Sequence, residues 1–392
     1  MCDSCVITLT IYLLIYNNYN YCFQYIKGKD FEEVLNSVKD KKFNLKDGPL
    51  WRARLFQSNK NPEKDSFTYD FLFNFNHAVT DGYSSLIICN EFLKIINDIL
   101  SNETIDDTIQ IGHHLPEVKK SEIQSAYMID SKIDQDEEYI DNLFQLETSK
   151  TRLKNAFPVD SNMVPQSKSV YFILDKHETM IFIDKCKEHG VTVHSAFTSI
   201  LNLSIVNVLK EAGISEEIYQ TNTYHLINFR RFYEESSEKI LGCHIGSYFL
   251  DHKTKINDST KFWNYAKEVH KKLNPMITTK QFSLQEKARL ILCTNGKLEF
   301  SLTNPREPGY YFSITNMGNI NSLLTGEGEH VEIVDIVRST TTHNISANFT
   351  VSCHTFRGKL TVNFDYSSRT VTDEAAQHIK DSVLGLLKNI VL

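Results

Sequence analysis

An alternating aromatic segment that leads into a short polar motif constrains the fold of this sequence most strongly. Aromatic residues occupy every second position of the segment, at Phe67, Tyr69, Phe71, Phe73 and Phe75. Side chains alternate between the two faces of a β-strand, so this spacing predicts a strand with one aromatic face. His77 has the same parity, and a straight strand would point it toward the interior as well.

The residues that follow predict a tight turn and then a long helix. Residues 77–82 read His-Ala-Val-Thr-Asp-Gly. Asp81 can hydrogen-bond nearby backbone groups and Gly82 tolerates a positive φ, so the pair favours a turn. Ser84 or Ser85 is the predicted helix cap. The apolar stripe predicted for the helix consists of Leu86, Cys89, Leu93, Ile96 and Leu100.

The motif places a histidine where it could act as a general base. An imidazole has an ordinary pKa of about 6.5 and can therefore accept a proton near neutral pH. His77 is the candidate base, and Asp81 lies four residues after it. The motif is short, and the alternative interpretation is an ordinary histidine before an Asp-Gly turn.

Composition excludes several classes of protein. A net charge of −7 argues against nucleic acid or an anionic membrane surface as the main partner. The eight scattered cysteines are typical of reduced thiols and favour a cytoplasmic location. The apolar run at residues 6–16 is shorter than the ~20 residues of a spanning helix, so we expect a buried strand and no stable membrane span. His113 and His114 are expected in a solvated loop, and His225 and His244 in strands. None has metal-ligand spacing, so no metal site is predicted.

A long polar and acidic connection at residues 102–168 divides the chain. We place the boundary near residue 165, which gives an N-terminal lobe at 1–165 and a C-terminal lobe at 166–392. Strands and helices alternate irregularly in both halves, which predicts an α/β fold with mixed sheets. After residue 100, helices are expected at 137–153, 178–188, 193–210, 261–273 and 372–388, and strands at 169–174, 218–228, 246–251, 310–316, 330–338, 348–356 and 359–366.

Seven short motifs occur in a fixed order along the chain, at residues 43–52, 77–82, 186–193, 228–231, 241–243, 315–318 and 358–366. This series resembles the chloramphenicol-acetyltransferase-like, acyl-CoA-dependent acyltransferase superfamily. Alcohol O-acetyltransferases and the condensation domains of nonribosomal peptide synthetases belong to that superfamily. The resemblance covers roughly residues 31–392. Residues 1–30 do not resemble the family's opening, so we expect a shortened N-terminal lobe.

The resemblance implies two similar lobes with a tunnel between them. It implies transfer of an acyl group from acyl-CoA, as co-substrate, to a small alcohol or amine, without a further cofactor and by a monomer. His77 would be the base. Asp81 would pair with Arg230, or as second choice Arg231, to shape the motif loop together with Gly82. The stretch with Thr315, Asn316 and Gly318 would stabilise the oxyanion or bind the acyl donor.

Three alternatives remain beside this interpretation. A relative that binds ligands without turnover would keep the same fold. A peptide-synthetase condensation domain is disfavoured because Asn76 stands where those domains carry a second histidine, and the sequence contains no adenylation or carrier segment. A serine hydrolase is disfavoured because no Gly-x-Ser-x-Gly motif is present.

Overall fold

A computed structural model describes residues 5–11, 23–26, 31–61, 66–106, 108–115, 136–160, 162–233, 239–298, 307–342 and 347–391. The strands are β1 (Cys5–Ile11), β2 (Phe23–Ile26), β3 (Trp51–Asn61), β4 (Ser66–Phe75), β5 (His113–His114), β6 (Ser167–Leu174), β7 (Tyr219–Asn228), β8 (Ile240–Leu241), β9 (Ile245–Thr254), β10 (Tyr310–Asn319), β11 (Ile333–Thr340), β12 (Ala347–Phe356) and β13 (Lys359–Ser367). The α-helices are α1 (Phe31–Lys39), α2 (Gly82–Leu100), α3 (Glu137–Thr148), α4 (Leu153–Ala156), α5 (Lys176–Glu188), α6 (Val193–Glu211), α7 (Phe262–Thr278), α8 (Phe282–Thr294) and α9 (Asp373–Val391).

Two mixed sheets organise the described chain. The first has the strand order β11-β1-β4-β3-β2, and the second has the order β6-β13-β12-β10-β7-β9. The first sheet is antiparallel except between β2 and β3, whereas β10 runs parallel to both β7 and β12 in the second. The predicted α/β fold with mixed sheets is confirmed. Because β11 belongs to the second half of the chain but joins the first sheet, the sheets share sequence across residue 165, and that boundary stays a prediction.

Strand β4 is buried on both faces. Its aromatic face forms one core with the inner face of α2, and this core contains Tyr69, Phe71, Phe73, Phe75, Leu86, Cys89 and Leu93. Leu72, on the other face, packs against α1. The strand ends at Phe75, and residues 77–79 form a turn. The aromatic parity therefore does not carry over to His77, which leaves the strand instead of pointing into this core. The side chain of Phe67 lies outside the described part.

Several local predictions were wrong for identifiable reasons. Asp81 caps α2 by accepting a hydrogen bond from the Ser84 N–H at 3.0 Å, so neither Ser84 nor Ser85 is the cap. The helix predicted to end near residue 273 continues through Pro275 to Thr278. The helix predicted at 137–153 ends at Thr148, and α8 was not predicted at all.

Three further predictions were correct only in part. His113 and His114 are exposed as expected but form the two-residue strand β5 rather than a loop. His225 lies in β7 as predicted, whereas His244 precedes β9. Of the apolar run at 6–16, residues 6–11 belong to β1, and residues 12–16 lie outside the described residues.

A buried ion pair connects the two halves of the chain. The Lys39 Nζ atom at the end of α1 lies 2.8 Å from Asp365 Oδ1 on β13, and both side chains are fully buried. Asp365 also accepts hydrogen bonds from the Ser339 hydroxyl at 2.5 Å and the Thr340 N–H at 2.9 Å. These hydrogen bonds offset the cost of burying the two charges.

The cysteines among the described residues from Cys89 onward form no disulfide bonds, and Cys89, Cys186 and Cys353 are buried. Burial raises the pKa of the Cys186 and Cys353 thiols to about 12. Such protonated thiols are poor nucleophiles, so these two cysteines are structural.

Among the described residues, no single helix has the length and apolar composition of a membrane span. Helices α5 and α6 reach those limits only as a pair, with a bend of 103° between them. Most side chains of α6 are buried in the core of the second sheet.

Candidate active site

A cavity of about 680 Å³ lies between the two halves of the chain. The first half contributes the motif around His77 and Gly82, and the second contributes residues from β10, β11, β12, α6 and α7. All seven site residues predicted from the sequence except Arg230 line this cavity, namely His77, Asp81, Gly82, Thr315, Asn316 and Gly318. The long-range folding of the chain thus brings the separated motifs to one place.

His77 borders the cavity from the turn after β4. Asn76 fixes this turn because its backbone N–H donates to Leu50 O at 2.9 Å and its Oδ1 accepts from the Ala78 N–H at 3.0 Å. Burial lowers the pKa of the His77 imidazole below its ordinary value, and this effect outweighs a hydrogen bond with its own backbone and the charge of Asp81. The imidazole is therefore neutral at neutral pH, as a general base must be.

Asp81 and Arg230 form a buried bidentate ion pair, as the sequence predicted. Arg230 Nη1 lies 2.6 Å from Asp81 Oδ2, and Nη2 lies 3.2 Å from Oδ1. Burial disfavours the Asp81 carboxylate, but the Arg230 charge and hydrogen bonds from the Ser84 and His244 N–H groups outweigh it. The pKa of Asp81 is consequently lowered. The Asp81 carboxylate is therefore ionised at neutral pH.

Arg230 joins helix α2 to the segment before β9. Its further hydrogen bonds reach Ile240 O at 2.7 Å, Ser84 Oγ at 2.9 Å and Gly242 O at 2.9 Å. The guanidinium also lies 4.5 Å from the centre of the Tyr83 ring. Arg231, the second choice as partner of Asp81, is exposed and lines the cavity instead.

The same network positions a cysteine beside the candidate base. Asp81 Oδ2 accepts a hydrogen bond from the His244 N–H at 2.9 Å, which holds the segment at residues 242–244 against α2. Within this segment, Cys243 Sγ lies 3.6 Å from His77 Nδ1. Sequence reasoning assigned no role to Cys243 or His244, because only the folded segment brings them to the motif.

Gly82 is required for close packing and not for its backbone conformation. It is the first residue of α2 and has no positive φ, contrary to the prediction from turn chemistry. A Cβ atom at this position would lie 2.9 Å from Met317 Sδ and 3.2 Å from Arg338 Nη1. The motif glycine therefore lets α2 approach β10 and β11 at the cavity wall.

We expect Gly82→Ala to lower the free energy of unfolding by ~1 kcal/mol, because the added methyl group displaces the end of the Met317 side chain and crowds Arg338, which hydrogen bonds hold in place. Gly385→Ala is the matched control, since its Cβ would meet nothing within 4 Å in α9. That variant should be neutral or stabilising by up to ~1 kcal/mol through helix propensity. Urea unfolding of both proteins measures the difference. Equal stabilities for the two variants would show that the contact at Gly82 is not tight.

The end of β10 forms the opposite side of the cavity. Gly318 has a φ of +64°, and its N–H donates to Asn316 Oδ1 at 2.8 Å. This donor is therefore occupied in the structure. Arg338, which is buried and was not singled out from the sequence, donates from Nη2 to Thr315 O at 3.0 Å and fixes the strand here. The roles of Thr315, Asn316 and Gly318 in the reaction stay predictions.

The described residues contain no cluster of three or more histidine, cysteine, aspartate or glutamate side chains that could hold a metal ion. The cavity wall instead has hydroxyl, amide, imidazole and apolar groups, with the charges of Arg231 and Arg338 and the paired Asp81. Such a wall suits acid–base chemistry on a bound substrate.

Comparison with protein families matches the condensation-domain profile over residues 23–392. The chain belongs to the condensation-domain family. No curated protein matches the sequence.

Several solved structures have a similar fold over nearly the whole chain. The TRI3 trichothecene 15-O-acetyltransferase from Fusarium sporotrichioides is 9% identical with a TM-score of 0.67, over 99% of this chain and 92% of that one. The condensation domain of the Monacolin K polyketide synthase MokA is 10% identical with a TM-score of 0.62, over the same shares of the two chains. The epimerization domain from the third module of tyrocidine synthetase B is 15% identical with a TM-score of 0.58, over 94% of this chain and 80% of that one. At identities this low, the similarity shows the fold alone.

Proposed function

We propose that this protein transfers an acyl group from a thioester to an alcohol or amine, with His77 as the general base. The observation that carries the proposal is His77 on the wall of a cavity that both halves of the chain enclose, where burial lowers the pKa of its imidazole. A neutral imidazole can take the proton of a neutral nucleophile as it attacks a carbonyl carbon.

The proposed reaction proceeds without a covalent acyl-enzyme. The acceptor O–H or N–H proton passes to His77 while the new C–O or C–N bond forms at the thioester carbonyl. The C–S bond then breaks, and the leaving thiolate takes the proton from the imidazolium. Groups on β10 near Thr315 and Asn316 would stabilise the intermediate oxyanion.

Asp81 acts in this proposal as a positioning residue. Both oxygens of its carboxylate accept hydrogen bonds from Arg230, Ser84 or His244, so neither is placed to exchange a proton with the substrate. The ion pair fixes the start of α2 and the segment with Cys243, and both flank His77. Loss of Asp81 would thus misplace the base rather than remove it.

We propose acyl-CoA as the thioester and a small alcohol or amine as the acceptor. The second candidate donor is an acyl group on a carrier-protein pantetheine, as in peptide-synthetase condensation, and membership of the condensation-domain family favours it. Both donors present the same thioester, so the chemistry at His77 is the same. Monomeric state and cytoplasmic location remain predictions.

Thiol release from acetyl-CoA, measured with a panel of small alcohols and amines, tests the proposal. Acceptor-dependent release is expected, and an acetylated carrier protein supplied in parallel separates the two donors. Binding of acetyl-CoA without turnover of either donor would favour the ligand-binding relative and contradict the proposal. Labelling by a fluorophosphonate would indicate a serine hydrolase, and we expect none.

A further inference from the structure

We propose that His194 accepts a hydrogen bond from a hydroxyl or amide N–H group of the substrate. The assignment rests on the proposed function, since it places a specificity contact in the same cavity. His194 lies in the first turn of α6 and lines the cavity together with His77. It lies far from the His77 motif in the sequence.

A chain of hydrogen bonds leads from His194 into the second sheet. The His194 Nε2 atom lies 3.0 Å from His225 Nδ1 on β7. On the other side of that ring, His225 Nε2 lies 2.8 Å from Thr223 Oγ1. The Thr223 hydroxyl lies 3.3 Å from the carbonyl oxygen of Leu250 on β9. His225 and Thr223 are fully buried, so water does not compete for these contacts.

The hydroxyl and each neutral imidazole have one proton apiece, so the hydrogen bonds of this chain run in one of two directions. In the proposed direction, the Thr223 hydroxyl gives its single proton to Leu250 O and accepts from His225 Nε2–H; in the reverse direction it donates to His225 Nε2, and His194 Nδ1 is protonated. A neutral histidine has one N–H, so in the proposed direction His225 Nδ1 accepts from His194 Nε2–H. His194 then has a bare lone pair on Nδ1. That atom has no partner among the described residues.

The proton count holds because both rings are neutral. Burial lowers the pKa of His194 to about 4 and that of His225 well below its ordinary value. The same cavity wall includes the neutral polar groups of Ser195, Asn274 and Thr278, and the charged groups among the described residues that line it are Arg231, Arg338 and the paired Asp81. A neutral imidazole with a bare lone pair accepts from an uncharged hydroxyl or N–H group, whereas a carboxylate or phosphate has no proton to donate to it.

Such a contact would discriminate between substrates. A site built to accept a hydrogen bond rejects an analogue that lacks the donor, because its own polar group stays unpaired. The donor group could belong to the thioester arm or to the acyl acceptor. Two probe pairs separate these sources: S-acetyl-N-acetylcysteamine against S-propyl thioacetate for the thioester, and 1,4-butanediol against 1-butanol for the acceptor.

Two variants of His194 separate its two ring nitrogens. An asparagine amide reaches the position of Nδ1 and keeps an acceptor there, whereas a glutamine amide reaches the position of Nε2 and keeps the contact with His225. We expect His194→Gln to weaken binding of the donor-bearing member of one probe pair by ~10-fold or more, and His194→Asn to change it by less than ~3-fold. Binding of the matched analogue should be unchanged in both variants.

Binding is measured by ligand titration in NMR spectra, so the test does not depend on turnover. The ¹⁵N shifts of His194 in the ligand-free protein report the tautomer, and we expect a protonated Nε2 and a bare Nδ1. A protonated Nδ1 would overturn the inference and leave the proposed function intact. Equal losses of affinity in His194→Gln for both members of each probe pair would do the same. If no donor-bearing probe binds the wild-type protein more tightly than its matched analogue, the inference is also overturned, while thiol release from acetyl-CoA tests the proposed function separately.

Discussion

His77→Ala is expected to lower kcat for acyl transfer by ~10²-fold or more, since a positioned general base typically contributes at least that much. The fold should remain intact, because His77 follows the end of β4 and is only partly buried. Truncating it therefore removes few core contacts, in contrast to a change at Phe73 or Phe75. Thiol release from acetyl-CoA with the best acceptor measures activity, and the thermal midpoint measures stability.

His177→Ala is the control for this prediction. His177 is exposed at the start of α5, away from the cavity, and its loss should change neither quantity. A His77→Ala enzyme within ~3-fold of the wild-type kcat would remove His77 from the reaction. A fall in the thermal midpoint that accounts for the lost activity would make its role structural.

Asp81→Asn and Arg230→Ala are each expected to reduce the free energy of unfolding by ~3–5 kcal/mol, because each leaves one buried charge without its partner. The double variant should lose much less than the sum of the two, since no charge then stays uncompensated. Both single variants should also lose activity through displacement of the segment that holds Cys243 beside His77. Urea unfolding and thiol release measure the two effects.

The exposed pair of Asp184 and Lys187 is the matched control, at 3.0 Å on α5. Lys187→Ala should cost less than ~1 kcal/mol, because water screens an exposed pair. Additive losses in the Asp81–Arg230 cycle would contradict an interaction between these residues.

The lowered pKa of Asp81 also sets how stability depends on pH. The ionised carboxylate contributes fully to the free energy of unfolding above the ordinary pKa of 3.8. That contribution is lost as the pH falls through the lower pKa of the folded state.

Sequence patterns predicted those parts of the fold that local spacing specifies. The period of two in β4 and the apolar stripe of α2 each depend on neighbouring residues. The aromatic residues from Tyr69 to Phe75 are buried as expected, and so is the stripe from Leu86 to Leu93, whereas Ile96 and Leu100 are partly buried. The pairing of Asp81 with Arg230 required the family resemblance, because 149 positions separate them. Spacing alone carries no information on such a distant contact.

Other predictions were wrong where tertiary contacts override the local conformational preference of the residues. Asp81 serves at once as N-cap and ion-pair partner, so the nearby serines are left for other hydrogen bonds. Helix α7 keeps its course through Pro275, a residue that usually ends helices, while its inner face packs on α6. Helix α8 begins at Phe282, and its N-cap residue Gln281 makes no side-chain cap, so the helix has no start signal in the sequence.

The sequence predicted the motif residues of the candidate site but not the residues that surround them. Arg338 and Cys243 reach the cavity region only because β11 joins the first sheet and Asp81 holds the segment before β9. Neither of these long-range contacts produces a periodic pattern in the sequence. The polarity of the hydrogen bonds behind His194 likewise depends on a cross-strand contact between β7 and β9.

The pH dependence of kcat/KM for thiol release tests most directly whether His77 acts as the base. A general base works only when it is deprotonated, so activity should fall as the pH drops through its pKa. Because burial lowers the pKa of His77 below 6.5, we predict a constant rate near neutral pH and a fall only below pH 6.5. His77→Ala should lack this acidic limb. The same limb in His77→Ala, or a wild-type limb centred well above pH 6.5, would contradict the assignment of His77.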